Sequence, residues 1–195
     1  MTKRIIEALG LCNTYSIEIS TPAESAALPQ DIDGQPVSGA INYSSVVGML
    51  LYLRHTCPDI DFAVHQCALY TFEPKQNHEA ALKRIRHYLK GTMDKGRTMC
   101  PNNNYNVDCY PDAAFTGLWR HKHPQDPHYV RSFTSYIIIF TGCAVLWVSK
   151  LQTEFALSTM ESEYITLSTS CKDLFPIMDL VREMGKCVGL PVNGT

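Results

Sequence analysis

A chain of 195 residues with 45% hydrophobic and 18% charged content is sized for one ordinary domain or two small lobes, and it is globular rather than disordered. A formal charge of −2 excludes a chain-wide electrostatic grip on nucleic acid, although between Lys75 and Met99 seven basic residues face two acidic ones. Eight scattered cysteines without a CxxC pair, no secretory signal, and a longest apolar run (Tyr136 to Val148) too short to span a bilayer imply an intracellular protein, cytoplasmic or nuclear, with reduced thiols and no membrane association.

In chain order, residues 1–42 begin with the short amphipathic stretch "TKRIIEALGL" and continue through Pro22, Pro29, Gly34, Pro36 and Gly39 without sustained periodicity. They are expected to form an extended connector. Residues 43–100 turn helical three times. Ser44 or Ser45 is placed to cap a first helix bearing Val47, Leu50 and Leu51, and Pro58 suits the first turn of a second bearing Ile60, Val64, Cys67 and Ala68. A third runs from about His78 through Leu82, Ile85 and Leu89 to Gly91. The expectation is a small helical lobe whose last member is basic.

Residues 104–190 change period. "YNVDCY", "SFTSYIIIF" and "CAVLWVSKLQTEFALS" read as three strands, the last two joined at Thr141-Gly142. Met160, Tyr164, Leu167, Cys171, Leu174, Met178 and Val181 then recur at alternating spacings of 4 and 3, which predicts a helix packed through that stripe. Pro176 predicts a kink or break near Phe175. The result is β-β-β-α, an α/β chain in α+β arrangement, with Trp147 and Phe155 assigned to the sheet's core. "RHKHPQDPH" gathers His121, His123, Asp126 and His128 between two strands; its prolines favour an exposed hairpin loop over a metal site.

Two acidic motifs bracket this region, "VDCYPDAAFTG" and "ALSTMESEYITL". Asp112 is expected directly after the first strand, where a side chain can reach over a sheet. Glu161 and Glu163 both fall in the first turns of the long helix and diverge by about 200°. Measured from the middle of the apolar stripe, Glu163 lies about 60° away and Glu161 about 100°, so Glu163 is the one aimed along the sheet. The alternative for both acids is a role at the helix N-terminus, with Ser158 or Thr159 as cap.

At these residues the chain resembles a family. "YSSVVGMLLYLRHTCPDIDFAV", "HEAALKRIRHYLKGT", "CYPDAAFTG", "RSFTSYIIIFTG" and "WVSKLQTEFALSTMESEY" are similar, in order and spacing, to the end of the reverse transcriptase and the start of the RNase H domain in copia-type retrotransposon polyproteins. The resemblance covers nearly everything from Tyr43 onward. It implies an incomplete RNase H-like fold preceded by a helical connection lobe. It also implies hydrolysis of RNA in RNA–DNA hybrids by two Mg²⁺ ions on clustered carboxylates, with Asp112 and Glu163 as catalytic metal ligands. In that context Lys83, Arg84, Arg86 and Lys90 could track a hybrid's phosphates, the alternative being a solvated helix face. The other partners implied are the remaining polyprotein segments.

The departures matter as much. Ala114 stands where the family's first block has a second Asp, and Ser135 where a Gly is usual. The family's third and fourth Asp follow this helix, whereas Asp173 and Asp179 lie on it, Asp179 about 24 Å along from Glu163 at ~1.5 Å per residue. The chain alone is therefore expected to be inactive as a nuclease. A non-catalytic nucleic-acid-binding or interaction remnant of a degenerate retroelement is the other reading.

Overall fold

The computed structural model describes Ile5 and residues 19–24, 28–39, 41–115 and 130–189. Two compact units meet at Gly96/Arg97.

In the first unit, α1 (Tyr43–Leu53), a 3₁₀ turn (Pro58–Ile60), α2 (Asp61–Ala68) and α3 (Gln76–Gly91) pack around one core. The cap of α1 is Asn42 rather than Ser44 or Ser45. Asn42 holds an extended backbone, and its Oδ1 accepts from the Ser45 N–H at 3.1 Å, satisfying one of the helix's orphan donors. Pro58 opens the 3₁₀ turn, where its missing N–H costs nothing. Leu50, Ile60, Val64, Leu82 and Ile85 are all but completely buried, each contributing about 1.5–3 kcal/mol by removal from water.

The helix α3 starts at Gln76, two residues ahead of the predicted start, because His78 completes its N-terminus. His78 Nδ1 accepts from the Lys75 N–H at 2.9 Å, which leaves the ring proton on Nε2 to donate to the Pro29 carbonyl at 2.8 Å. The ring also stacks on Tyr70, centroids 4.2 Å apart. The preceding segment is fastened here by further bonds. Gln76 N–H donates to the Gln35 carbonyl (2.9 Å), and the Ser38 N–H and Oγ both donate to the Glu79 carboxylate (3.0 Å).

The second unit is an antiparallel sheet of order β1-β2-β3, with β1 Val107–Ala114, β2 Phe133–Phe140 and β3 Cys143–Leu151. Thr141 (φ 51°) and Gly142 (φ 80°) make a two-residue hairpin turn with both central residues left-handed, the type whose twist matches its strands. A side chain at 142 would meet Asn102 Nδ2 at 2.8 Å as well as strain the backbone. Helix α4 (Thr159–Val188) packs on β1 and β2 and stops at Gly189 in the left-handed conformation. Together with the first unit this is a mixed α/β chain with a three-stranded antiparallel sheet and four α-helices among the described residues.

Four expectations need correction. Asp112 lies inside β1, which continues through Pro111 to Ala114; Pro111 is tolerated because β1 is an edge strand, where a residue can lack an N–H on its outer side. Pro176 does not break α4: it is exposed, so the carbonyl it leaves unbonded is open to water. Phe155 is not core but 52% exposed, lying against the Arg131 guanidinium. The apolar stripe of α4 is not its packing face. Its first three members, Met160, Tyr164 and Leu167, are exposed and Cys171, Leu174, Met178 and Val181 only half-buried, while Ser162, Thr166 and Ser170 are fully buried. The motif containing His121, His123, Asp126 and His128 lies outside the described residues.

Candidate functional site

The contact between α4 and the sheet is polar. Thr166 Oγ1 and Thr134 Oγ1 lie 2.9 Å apart, and Gln152 Nε2 reaches Thr134 Oγ1 (3.2 Å), Thr166 Oγ1 (3.1 Å) and the Ser162 carbonyl (3.0 Å). Tyr136 Oη donates to Asp173 one turn beyond Thr169. These bonds orient the sheet. Thr134 faces the helix and pairs directly with Ala113, so alternate residues Cys109, Pro111 and Ala113 of β1 face the helix too. Consistent with this, Ser170 is near enough to the Cys109 thiol to act on it. Asp108, Tyr110 and Asp112 therefore occupy the other face, and all three are exposed.

The two acids singled out from the sequence stand at the same end of the unit. Asp112 is adjacent to Ala113, whose partner Thr134 touches Thr166, one turn of α4 beyond Glu163. Measured from the buried line of Ser162, Thr166 and Ser170, Glu163 lies about 60° around the helix and Glu161 about 140°. Glu163 is also on the flank toward β1, since Cys171, which approaches Cys109, lies on that side while Asp173, bonded to β2, lies on the other. Glu163 remains the acid nearer the sheet, for a different reason than the apolar stripe suggested. Glu161 is committed elsewhere: its carboxylate accepts from the Leu157 N–H at 2.7 Å, and its own N–H donates to Ser158 Oγ at 3.1 Å. That is an N-terminal cap.

Asp112 and Glu163 are exposed and make no hydrogen bond or ion pair among the described residues, so both offer hard oxygen donors suited to Mg²⁺. Their β1 face and helix flank differ, and among the described residues no group of three or more His, Cys, Asp or Glu side chains is placed to hold a metal ion. The donor chemistry fits; the donor number falls short. Two of the thiols are held in their less nucleophilic, protonated form. Burial pushes Cys67 up to about 12 and also raises Cys109, and the seven described cysteines are unpaired.

The basic helix α3 divides its cations. Lys90 is exposed. Lys83 is half-exposed and pairs with Glu79 at 2.6 Å, and Arg84 bonds Thr21 (2.9 Å) and, more loosely, Glu24 (3.4 Å). Arg86 is 2% exposed, so its guanidinium serves the unit's interior rather than a surface. Sequence spacing does not reveal that inward turn, because an arginine on the apolar side of a helix reads as part of the charged run around it. No described helix is long and apolar enough to cross a membrane.

Comparison with known proteins gives this layout a family. The chain is 30% identical over 167 residues to the retrovirus-related Pol polyprotein from transposon RE2 of Arabidopsis thaliana, covering 86% of this chain and 11% of that one. It is 30% identical over 191 residues to the corresponding polyprotein from transposon TNT 1-94 of Nicotiana tabacum, covering 94% of this chain and 14% of that one. A third relative, secreted RxLR effector protein 161 of Plasmopara viticola, is 32% identical over 134 residues, 68% of this chain and 89% of that one. No family model matches, and no solved structure matches significantly. The chain belongs to the retrovirus-related Pol polyproteins of transposons, and it spans about a tenth of the length of the Pol relatives it matches.

Proposed function

We propose that this chain is the stretch of a copia-type Pol polyprotein that runs from the end of the reverse transcriptase into an RNase H-like module for metal-dependent cleavage of RNA in RNA–DNA hybrids. The observation that carries the reading is the coincidence of blocks and elements. The five ordered family blocks fall in turn on α1 to α2, on α3, on β1, on β2, and on β3 with the start of α4. Five blocks in the family's order, each lying on a helix or strand, are more specific than any single motif. Asp112 and Glu163 would hold Mg²⁺ together with carboxylates from the rest of the polyprotein. The two ions, when bound, would supply an activated water and steady the leaving oxygen. Lys90, Lys83 and Arg84 are the cations left to meet phosphate, and the module works inside the cell, in cytoplasm or nucleus.

The test is hybrid cleavage in Mg²⁺ by the longer polyprotein containing this stretch. Asp112→Asn and Glu163→Gln should each lower the rate by roughly a hundredfold or more, as expected for loss of a metal ligand, while Glu161→Gln keeps it. Unchanged cleavage in both ligand variants would sink the reading. A second reading, a non-catalytic nucleic-acid-binding or interaction remnant, is favoured by the lack of a group of three metal-ligating side chains among the described residues. It predicts that the chain alone binds hybrid without cutting it, with affinity falling steeply as salt rises.

A further inference from the structure

The first unit contains a cavity of about 570 Å³ between α2, α3 and the segment before α1. That volume is within the range of small-molecule sites, and Leu28, Phe62, Ala63 and Ile85 give it apolar walls. Its polar lining is unusual. Gln66 is 4% exposed, and its Oε1 accepts from the Leu28 N–H at 3.1 Å; because that partner is a donor, the amide orientation is set, and Nε2 is left inside with no partner. Arg84 uses both ends of its fork on Glu24 and Thr21, leaving Nε buried and unpartnered, and His87 Nδ1 is likewise buried without a partner. All three residues line this one cavity. Buried polar groups are normally satisfied, so two spare donors, Gln66 Nε2 and Arg84 Nε, around an apolar hollow mark a place for an acceptor-bearing guest, with His87 Nδ1 donating or accepting according to its tautomer.

The charges narrow the chemistry. Lys83 and Arg84 border the cavity; Lys83 is held by Glu79 at 2.6 Å, whereas Arg84 has only the looser 3.4 Å ion pair with Glu24, so Arg84 is the cation a guest meets. A carboxylate is acceptor-only and carries about four lone-pair sites, enough for both spare donors, and as an anion it makes the stronger, charge-assisted bond to the Arg84 guanidinium. We propose that this cavity binds a compact apolar monocarboxylate, its carboxylate held by Gln66 Nε2 and Arg84 Nε and its body between Phe62, Leu28 and Ile85.

The experiment is a titration of the full chain with 4-phenylbutyrate, and in parallel with 4-phenylbutanol, followed by the side-chain amide resonances of Gln66 and the ring resonances of His87. The acid should give saturable shifts at both residues, and the alcohol should bind about tenfold more weakly, having lost a charge-assisted bond. Ala81→Leu extends a side chain into the cavity from a helical position where the exchange is nearly neutral for helix formation, and it should abolish binding of both while melting like the parent. Arg84→Gln should remove the preference for the acid and leave the alcohol's affinity unchanged. The proposal is overturned if no saturable shift occurs, if acid and alcohol bind equally, or if Arg84→Gln keeps the full preference. Undiminished binding in folded Ala81→Leu overturns it as well.

Discussion

Glu79 shows how one side chain ties a segment without regular structure to a helix. It is 3% exposed, yet it is ionised because Lys83 bonds it from the next turn and the Ser38 N–H and Oγ donate to it; these hold its carboxyl below the usual carboxylate value despite burial acting the other way. A folded-state pKa lower than the unfolded one means stability that is complete above the unfolded value and is lost as pH falls through the folded one. Melting temperatures of the parent and Glu79→Gln should therefore differ most near neutral pH and converge below about pH 4.5. A constant difference from pH 7 to pH 3 would count against this linkage. Beside it, His78 was legible only as the start of a helical period, since nothing in its spacing says that Nδ1 will take the Lys75 N–H.

At the scale of an element, α4 is held to its sheet by hydroxyls and one amide rather than by its apolar stripe. Gln152 is 3% exposed and joins β2, β3's end and α4 through a single Nε2. Gln152→Leu should destabilise the unit by about 1–3 kcal/mol, because it leaves Thr134, Thr166 and the Ser162 carbonyl with fewer partners than burial demands. Urea unfolding measures it, and an unchanged midpoint would mean the hydroxyls re-pair among themselves. The first turn offers a second contrast. Ser158→Ala removes a cap and should cost about 1 kcal/mol, whereas Glu163→Gln should stay within about 0.5 kcal/mol, since Glu163 supports no described contact. Equal losses in the two would erase the distinction between structural cap and candidate ligand.

The element scale also shows where sequence reading succeeds. Three strands, the Thr-Gly turn and the helix that follows were legible because β-branched runs, a left-handed turn pair and a 3.6-residue period each have one local cause. The facing of α4 was not. Periodicity reports that apolar residues share a side, not what lies against that side, and here Ser162, Thr166 and Ser170 find partners on the sheet while Tyr164 and Leu167 face outward. Glu163 was selected over Glu161 all the same, because it falls between the two lines and so is near the sheet by either measure. Asp112 was found by type and context, but its face was not, since the strand ran on past Pro111.

For the whole molecule, the stretch around the Gly96/Arg97 boundary is where the described chain is most open to proteases. From Met93 to Asn104 the chain is exposed and without helix or strand. Arg97 is nonetheless anchored: its Nη2 donates to the Ala144 carbonyl at 2.8 Å, and the guanidinium lies 4.8 Å from the centre of the Trp147 ring. Among the described residues Lys95 has only a backbone bond to Thr92. Proteases need a segment that can leave its contacts and extend, so exposed backbone outside hydrogen-bonded elements is cut first. Limited trypsin digestion should nick after Lys95 before Arg97, and well before Lys83, Arg84 or Lys90, which sit in the hydrogen-bonded turns of α3 over the buried Leu82 and Ile85. Replacing Trp147 by Ala should then raise cleavage at Arg97 toward that at Lys95, because the guanidinium loses the ring it rests on. Mass spectrometry of the early digest reads both expectations, and first cleavage inside α3 would show that the helix opens more readily than the exposed stretch after it.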